Sequence, residues 1–296
     1  MKLISIVLGV TLLGCGGASS SDSTTATAAA AAAARHPKPL ALCGKLRAAV
    51  TGTVQTAEAP ELSGLVLSRS QPGVLWAHND SGDRARVFAL RPNGSVLADL
   101  DVPGAEAVDW EDIAIRGKEL YAGDIGDNNR ERSSVDVYRF AEPQVPATGS
   151  TSPATRLTLR YPDGAHDAET LLVDPRNGQL AIITKNLGGA AGVYTGRSGT
   201  LKPAATLNLG LGAALTGGDV SADGRTIVLR SYTSAYVWTR RGGESLAKAL
   251  TRGPECTADA DLLDEGQGEA LALSRDGRAF WTIPEGTNPR LRKYAG

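Results

Sequence analysis

Asp109-Trp-Glu-Asp-Ile-Ala-Ile115 decides the reading of this chain, because its pattern returns at even intervals along the sequence. A polar or acidic lead-in followed by alternating apolar residues describes a short strand with one face toward a core. The same layout stands at Glu61-Leu-Ser-Gly-Leu-Val-Leu67, Asp167-Ala-Glu-Thr-Leu-Leu-Val173, Thr216-Gly-Gly-Asp-Val-Ser221 and Gln267-Gly-Glu-Ala-Leu-Ala-Leu273. Aligned on Ser63, Glu111, Glu169, Gly218 and Glu269, the repeats step by 48, 58, 49 and 51 residues. Spacing this regular marks an internal repeat.

Around each anchor the rest of a repeat unit can be read. Tight-turn pairs follow at Pro72-Gly73, Asn177-Gly178, Asp223-Gly224 and Asp276-Gly277, each leading into a second apolar run. Asn-Gly and Asp-Gly pairs accept positive φ and join antiparallel strands. Third strands are predicted at 86–90, 135–140, 192–195, 235–239 and 290–294, and fourth strands at 95–102, 155–161 and 202–209. Four antiparallel strands in forty to fifty residues make a β-propeller blade. The fold is therefore expected to be an all-β propeller of five four-stranded blades over residues 41–296. Six blades are the alternative, should a degenerate one lie between Arg240 and Leu263, and a two-sheet sandwich fits the period poorly. The last unit lacks an outer strand, and the run 48–56 near the N-terminus is predicted to supply it.

Composition narrows the function classes. The 296 residues carry 31 Lys plus Arg against 32 Asp plus Glu, which disfavours a nucleic-acid binder. Aromatic residues are 5% of the chain, so the core must be mainly Val, Leu, Ile and Ala. Residues 1–14 have the layout of a secretory signal, with one Lys, an apolar run and small residues. Leu12-Leu13-Gly14-Cys15 resembles the bacterial lipobox, which implies cleavage before Cys15 and acylation of its thiol. Ordinary secretion with cleavage elsewhere is the alternative. Residues 15–40 are Ser, Thr, Ala and Pro, a composition suited to a disordered tether. The expected location is thus outside the cytoplasm, on a bacterial membrane through a lipid anchor. Cys43 and Cys256 then remain as an even pair in an exported chain, and a disulfide between them would staple the ring closure; two separately buried thiols are the other reading.

In a propeller the starts of the innermost strands and the loops between second and third strands meet at one mouth of the channel. Glu111, Glu169 and Glu269, with Asp124, Asp127 and Asn186, are the candidate metal ligands, since clustered carboxylates suit a hard cation such as Ca²⁺. Asn79, Asp80, Asp83, Lys185 and Arg230 are candidate ligand-binding residues of the same mouth. The loops Asn79-Asp-Ser-Gly-Asp83 and Gly123-Asp-Ile-Gly-Asp127 resemble each other, and neither has EF-hand spacing. Taken singly, each is equally an Asx-stabilised turn. His78 and His166 are the candidate general bases. Nucleophile-elbow, phosphate-loop, His-Glu-x-x-His and Cys-x-x-Cys motifs do not occur in the sequence.

Asp-Trp-Glu-Asp-Ile-Ala from Asp109, Asp-Ala-Glu-Thr-Leu from Asp167 and Gly-Glu-Ala-Leu-Ala from Gly268 resemble the blade openings of secreted bacterial propellers of the SdiA-regulated and esterase-like phytase kinds. The usual Gly after Glu is here Asp112, Thr170 or Ala270. The chain is also similar to WD40-like lipoproteins, although the Trp-Asp pair that closes such a blade is missing. These resemblances imply a propeller and leave its chemistry open. The expectation is an envelope propeller that binds a small molecule or an envelope protein at an acidic, calcium-binding mouth. The alternative is a metal-dependent hydrolase of phosphoesters or lactones, and a purely structural envelope protein is the third class.

Overall fold

The computed structural model describes residues 40–296, so the expected signal, the expected acylation site Cys15 and nearly all of the expected tether lie outside the described residues. Five sheets radiate from one axis. Blade 1 comprises, from the axis outward, Leu62–Leu67, Leu75–Asn79, Arg86–Leu90 and Val96–Asp101. Blade 2 is Trp110–Arg116, Glu119–Asp124, Val135–Ala141 and Thr155–Arg160; blade 3 is Ala168–Val173, Leu180–Thr184, Ala190–Gly196 and Lys202–Asn208. Blade 4 is Leu215–Val220, Thr226–Ser231, Ala235–Thr239 and the two-residue Cys256–Thr257. Blade 5 is Gly268–Leu273, Ala279–Pro284 and Arg290–Ala295, completed by Arg47–Thr53 from the other end of the domain. Each inner strand packs on the next, and the fifth packs on the first. The fold is a five-bladed β-propeller closed by strands from both ends of the domain.

Between Arg240 and Leu263 there is no sixth blade. That stretch forms a helix, Leu246–Leu250, whose Ser245 hydroxyl accepts the Lys248 N–H at 3.1 Å, and then the short outer strand of blade 4. Leu246, Ala249 and Leu250 close the core shared by blades 3 and 4. Packing is concentrated between neighbouring blades. Trp76 and Trp110 belong to one cluster joining blades 1 and 2, and Trp238 to the cluster of blades 3 and 4. The inner strands, covered on both sides, read as buried throughout in blades 2 to 5 apart from the end of Trp110–Arg116. Turn glycines 73, 178, 224 and 277 sit at φ between 69° and 73°, the left-handed conformation that their Pro-Gly, Asn-Gly and Asp-Gly pairs favour.

One irregularity repeats in all five blades. The ladder between first and second strands slips by one residue at Ser63, Glu111, Glu169, Thr216 and Glu269. A β-bulge of this kind re-aims one side chain. It also corrects the alignment of the fourth repeat. Gly217 pairs with Arg230 and Gly218 with Leu229, so Thr216, two residues before Gly218, occupies the position held by Glu in blades 2, 3 and 5. Ser63 Oγ donates to the Glu111 carbonyl at 2.7 Å and Thr216 Oγ1 to that of Gly268 at 3.4 Å, so the two hydroxyl members of the ring stitch one blade to the next. Lower in the channel wall, buried Asp112 accepts the Ile113 and Leu171 N–H groups at 2.8 and 2.9 Å. Asp219 likewise accepts those of Val220 and Leu273 at 2.7 and 2.8 Å, besides pairing with Arg69.

Cys43 and Cys256 form a disulfide with a Cα–Cα distance of 5.7 Å. It ties the segment before Arg47–Thr53 to the outer strand of blade 4. Such a bond places the domain in an oxidising, exported environment. No described helix is long and apolar enough to cross a membrane.

Candidate functional site

Two rings of residues surround one mouth of the channel. The first is the bulge ring, Ser63, Glu111, Glu169, Thr216 and Glu269. The second comes from the residues just after the second strands, where one backbone bond recurs. Asp80 N–H donates to the Glu61 carbonyl, Gly126 to Asp109, Lys185 to Asp167 and Glu285 to Gln267, at 2.8 to 3.2 Å. In each case the acceptor lies two residues before the bulge. Tyr232, which follows the second strand of blade 4, extends this loop ring. Repetition of the backbone thus lines up Asp80, Gly126, Lys185, Tyr232 and Glu285.

Within this frame two trios of carboxylates converge, Asp80 with Glu269 and Glu285, and Asp80 with Asp109 and Glu111. In each trio one oxygen of every member lies within 4.8 Å of the others. That span fits ligands on opposite sides of a Ca²⁺ ion, whose bonds are about 2.4 Å long. Donor sets made only of oxygen suit Ca²⁺, Mg²⁺ or Mn²⁺ over zinc or copper. Glu111 and Glu269 are 3% and 4% exposed. Tyr232 Oη donates to Glu269 Oε1 at 3.1 Å, while Glu269 Oε2 is buried without a partner. A Cβ on Gly126 would overlap Glu111 Oε1 and Asp109 Oδ2, so these two oxygens meet across a glycine.

None of these five carboxylates pairs with a Lys or Arg among the described residues. Six buried carboxylates do, Glu169 with Lys185, Asp124 with Arg132, Asp136 with Arg156, Asp174 with Arg240, Asp219 with Arg69 and Glu265 with Arg230, whereas buried Asp112, Asp127, Glu142 and Asp167 accept N–H or O–H donors instead. The electrostatic consequence is large. Burial, then the charges of Glu269, Asp109 and Glu61, raises the Asp80 carboxyl to about 6. Burial followed by Glu269, Asp80 and Glu61 raises Glu285 to about 8. Glu111 is pushed well above its ordinary range by burial and then by Glu169, Asp80, Asp109 and Glu269. Glu169 rises to about 8 through burial and the charge of Glu269, even with Lys185 beside it. Without a cation, the mouth holds protons that ordinary carboxylates release.

The other candidates fall elsewhere. Asp124 accepts from Arg132 and from the Asp109 N–H at 2.9 and 3.0 Å. Asp127 caps its own loop, taking the N–H groups of Glu131 and Arg132, and Asn186 does so with the Gly188 N–H. Asn79 bonds the Glu58 carbonyl and Asp83, and Asp83 binds Arg86 at 2.6 Å; both belong to an ion cluster at the edge of blade 1. Arg230 is withdrawn from the mouth because its strand position faces the wall between blades 4 and 5. There it is wholly buried, 3.1 Å from Glu265 and 3.0 Å from the Ala270 carbonyl. His78 is also fully buried, with Nδ1 on the Asn79 carbonyl at 2.8 Å and the ring edge-on to Trp110. Burial lowers it to about 4, so it is neutral and shut off from solvent. His166 is engaged by Asp163 and Tyr194 at 3.1 and 2.9 Å. Asp80, Asp109 and Glu285 lie outside the expected metal-ligand set, whereas Asp124, Asp127 and Asn186, expected in it, do not converge with them; no local sequence signal separates the two groups.

No family model and no curated protein matches this chain. Among solved structures it is similar to the PQQ-bound form of aldose sugar dehydrogenase from Streptomyces coelicolor, at 13% identity and TM-score 0.49, over 85% of this chain and 98% of that one. It is likewise similar to a gluconolactonase from Xanthomonas campestris, at 16% identity and TM-score 0.47, over 86% and 91%. U3-55K matches at 10% identity and TM-score 0.44, over 85% and 98%. These likenesses concern the propeller and carry nothing about chemistry.

Proposed function

We propose that this chain is an exported, lipid-anchored envelope propeller whose mouth binds a divalent cation, with Ca²⁺ best suited to the ligands, and through it an oxygen-rich small molecule or envelope partner. The carrying observation is the convergence of Asp80, Asp109, Glu111, Glu269 and Glu285, none of which pairs with a Lys or Arg among the described residues. An unneutralised group of this kind opposes folding unless protons or a cation fill it. The lipid anchor rests on the lipobox-like Leu12-Leu13-Gly14-Cys15, and the disulfide supports export. When bound, the cation would supply a Lewis acid and open coordination positions facing the mouth.

A metal-dependent hydrolase of phosphoesters or lactones is the second reading. It is favoured by Lys185 and Tyr232, two donors on the loop ring, with the Lys185 ammonium 5.4 Å from the Tyr232 ring and Tyr232 on Glu269. The proton carrier in that reading is a carboxyl of the mouth, because His78 is sealed in the core and His166 is held by Asp163 and Tyr194.

The test is a thermal melt of the purified chain in EDTA and then in millimolar Ca²⁺, Mg²⁺ or Mn²⁺. A ligand at a hundred times its Kd stabilises by about 2.7 kcal/mol, or roughly 5 to 10 °C at this size. No shift with any of the three ions overturns the cation reading. Given a shift, Glu111→Gln and Glu169→Gln separate the two readings, since a hydrolase loses turnover in folded variants.

A further inference from the structure

We infer that the mouth binds two divalent cations side by side, with Asp80 as the shared ligand. Glu269 and Glu285 complete one position, and Asp109 and Glu111 the other. The inference rests on the cation reading above and extends it from one ion to a pair. Its first ground is geometric. The five carboxylates fall into two sets that each fit one ion, and the sets have only Asp80 in common. A carboxylate has two oxygens, and paired metal sites hold their ions roughly 3.5 to 4 Å apart.

The second ground is that each position holds a carboxylate oxygen free to accept a cation, one of them buried. In one position Glu269 Oε2 is buried and has no partner. In the other, no hydrogen bond reaches the Glu111 carboxylate among the described residues, although the residue is 3% exposed. Gly126 is what lets Glu111 and Asp109 approach each other there, since any side chain would stand between them. Leaving the Glu269 oxygen buried and unpaired is costly.

Charge supplies the third ground. Five carboxylates with one divalent ion retain three uncompensated charges, and with two ions only one. Lys185, the cation nearest this group on the loop ring, is committed to Glu169. A pair of ions thus comes closer to neutralising the mouth than a single ion does.

The experiment counts ions. The full chain, stripped with EDTA, is dialysed to equilibrium against calcium chloride, and bound calcium per chain is measured by atomic emission. In parallel, manganese chloride is titrated in and followed by electron paramagnetic resonance, in which two adjacent Mn²⁺ ions give a broadened, exchange-coupled signal. Two ions per chain and a coupled signal are expected. Glu285→Gln should retain one ion, held by the other position. Gly126→Ala should also retain one, since its φ is permissive and the atoms displaced are flexible carboxylate ends. Asp80→Asn should weaken both ions by tenfold or more. Melts in EDTA establish that each variant is folded. One ion per wild-type chain overturns the pair and leaves the single-cation reading standing, whereas no bound ion overturns both. Two ions with uncoupled manganese, or two that Asp80→Asn leaves unaffected, overturn the bridge.

Discussion

Replacing both Cys43 and Cys256 by Ser should loosen the ring at one place before it unfolds the whole. The disulfide spans 213 positions of sequence. In the chain-entropy model, closing a loop of that length restricts the unfolded chain by about 5 kcal/mol. At roughly 2 to 4 °C per kcal/mol for a domain of this size, the melting midpoint should drop by about 10 to 20 °C. The local effect follows from how Arg47–Thr53 is held. Its side chains are exposed over the first four positions and only half-buried over the last three, so burial contributes little to keeping it on blade 5. Fixing seven backbones costs about 7 to 14 kcal/mol, set against its ladder to Arg290–Ala295 and the anchoring of Leu42 and Leu46 in the core. Two buried leucines contribute about 3 to 6 kcal/mol, so the strand is marginal once the covalent link is gone. Hydrogen exchange followed by mass spectrometry should show protection lost first in peptides covering 47–53, at denaturant concentrations where blades 1 to 3 remain protected. A midpoint drop below 3 °C, with protection of that strand unchanged, would refute the argument that the disulfide and not the ladder secures the closure.

The acidic mouth makes stability depend on pH in a direction opposite to that of paired carboxylates. Glu169 and Glu285, raised to about 8, keep protons in the folded state that the unfolded chain has released. In EDTA the melting midpoint should therefore fall as pH rises from about 6.5 to 8.5, and saturating Ca²⁺ should abolish or reverse that slope. Between about 4.5 and 6.5 neutral His78 acts in the opposite sense, because the unfolded imidazole takes up a proton that the buried one refuses until about 4; that one proton is outnumbered by the two that Glu169 and Glu285 retain, so the slope is shallower there without changing sign and the chelated protein should be most stable below about pH 6. A midpoint that climbs steadily to pH 8.5 in EDTA would contradict the reading of the mouth. Arg230→Met should cost about 1.5 to 3 kcal/mol in urea denaturation, since it removes the nearer of the two countercharges of buried Glu265 and leaves Arg292 at 3.5 Å. A loss below about 0.5 kcal/mol would mean that Arg292, Thr282 and Tyr294 satisfy Glu265 without Arg230.

The propeller was legible because its information is local and repeated. Pro-Gly, Asn-Gly and Asp-Gly turns, alternating strands and a period near fifty residues each sit within a dozen positions of one another, and five copies reinforce the pattern. The run 48–56 could be assigned to the last blade because that blade was one strand short, and the observed Arg47–Thr53 lies almost where it was expected. The fourth repeat was misaligned by two residues for a physical reason. A bulge is set by which residue faces which across the ladder, and Thr216 carries none of the acidity that marks the position in blades 2, 3 and 5.

The site was legible in outline only, and the limit lies in where countercharges come from. Glu169 finds Lys185 sixteen residues away within its own blade, and that pair could be guessed from sequence. Asp219 finds Arg69 across 150 residues, Asp174 finds Arg240 across 66 and Glu265 finds Arg230 across 35. Read along the chain, Asp124 and Asp80 are alike, each the second residue of a glycine-bent loop, although the ladder matches Asp124 to Asn79 and Gly126 to Asp80. In the folded molecule Arg132 pairs with Asp124, and no Lys or Arg among the described residues pairs with Asp80. The functional signal is therefore the pattern of pairing among the acidic residues more than their number. Asp80, Asp109, Glu111, Glu269 and Glu285 stand out because the same packing that sets a Lys or Arg beside their neighbours Glu169 and Asp124 sets none beside them among the described residues.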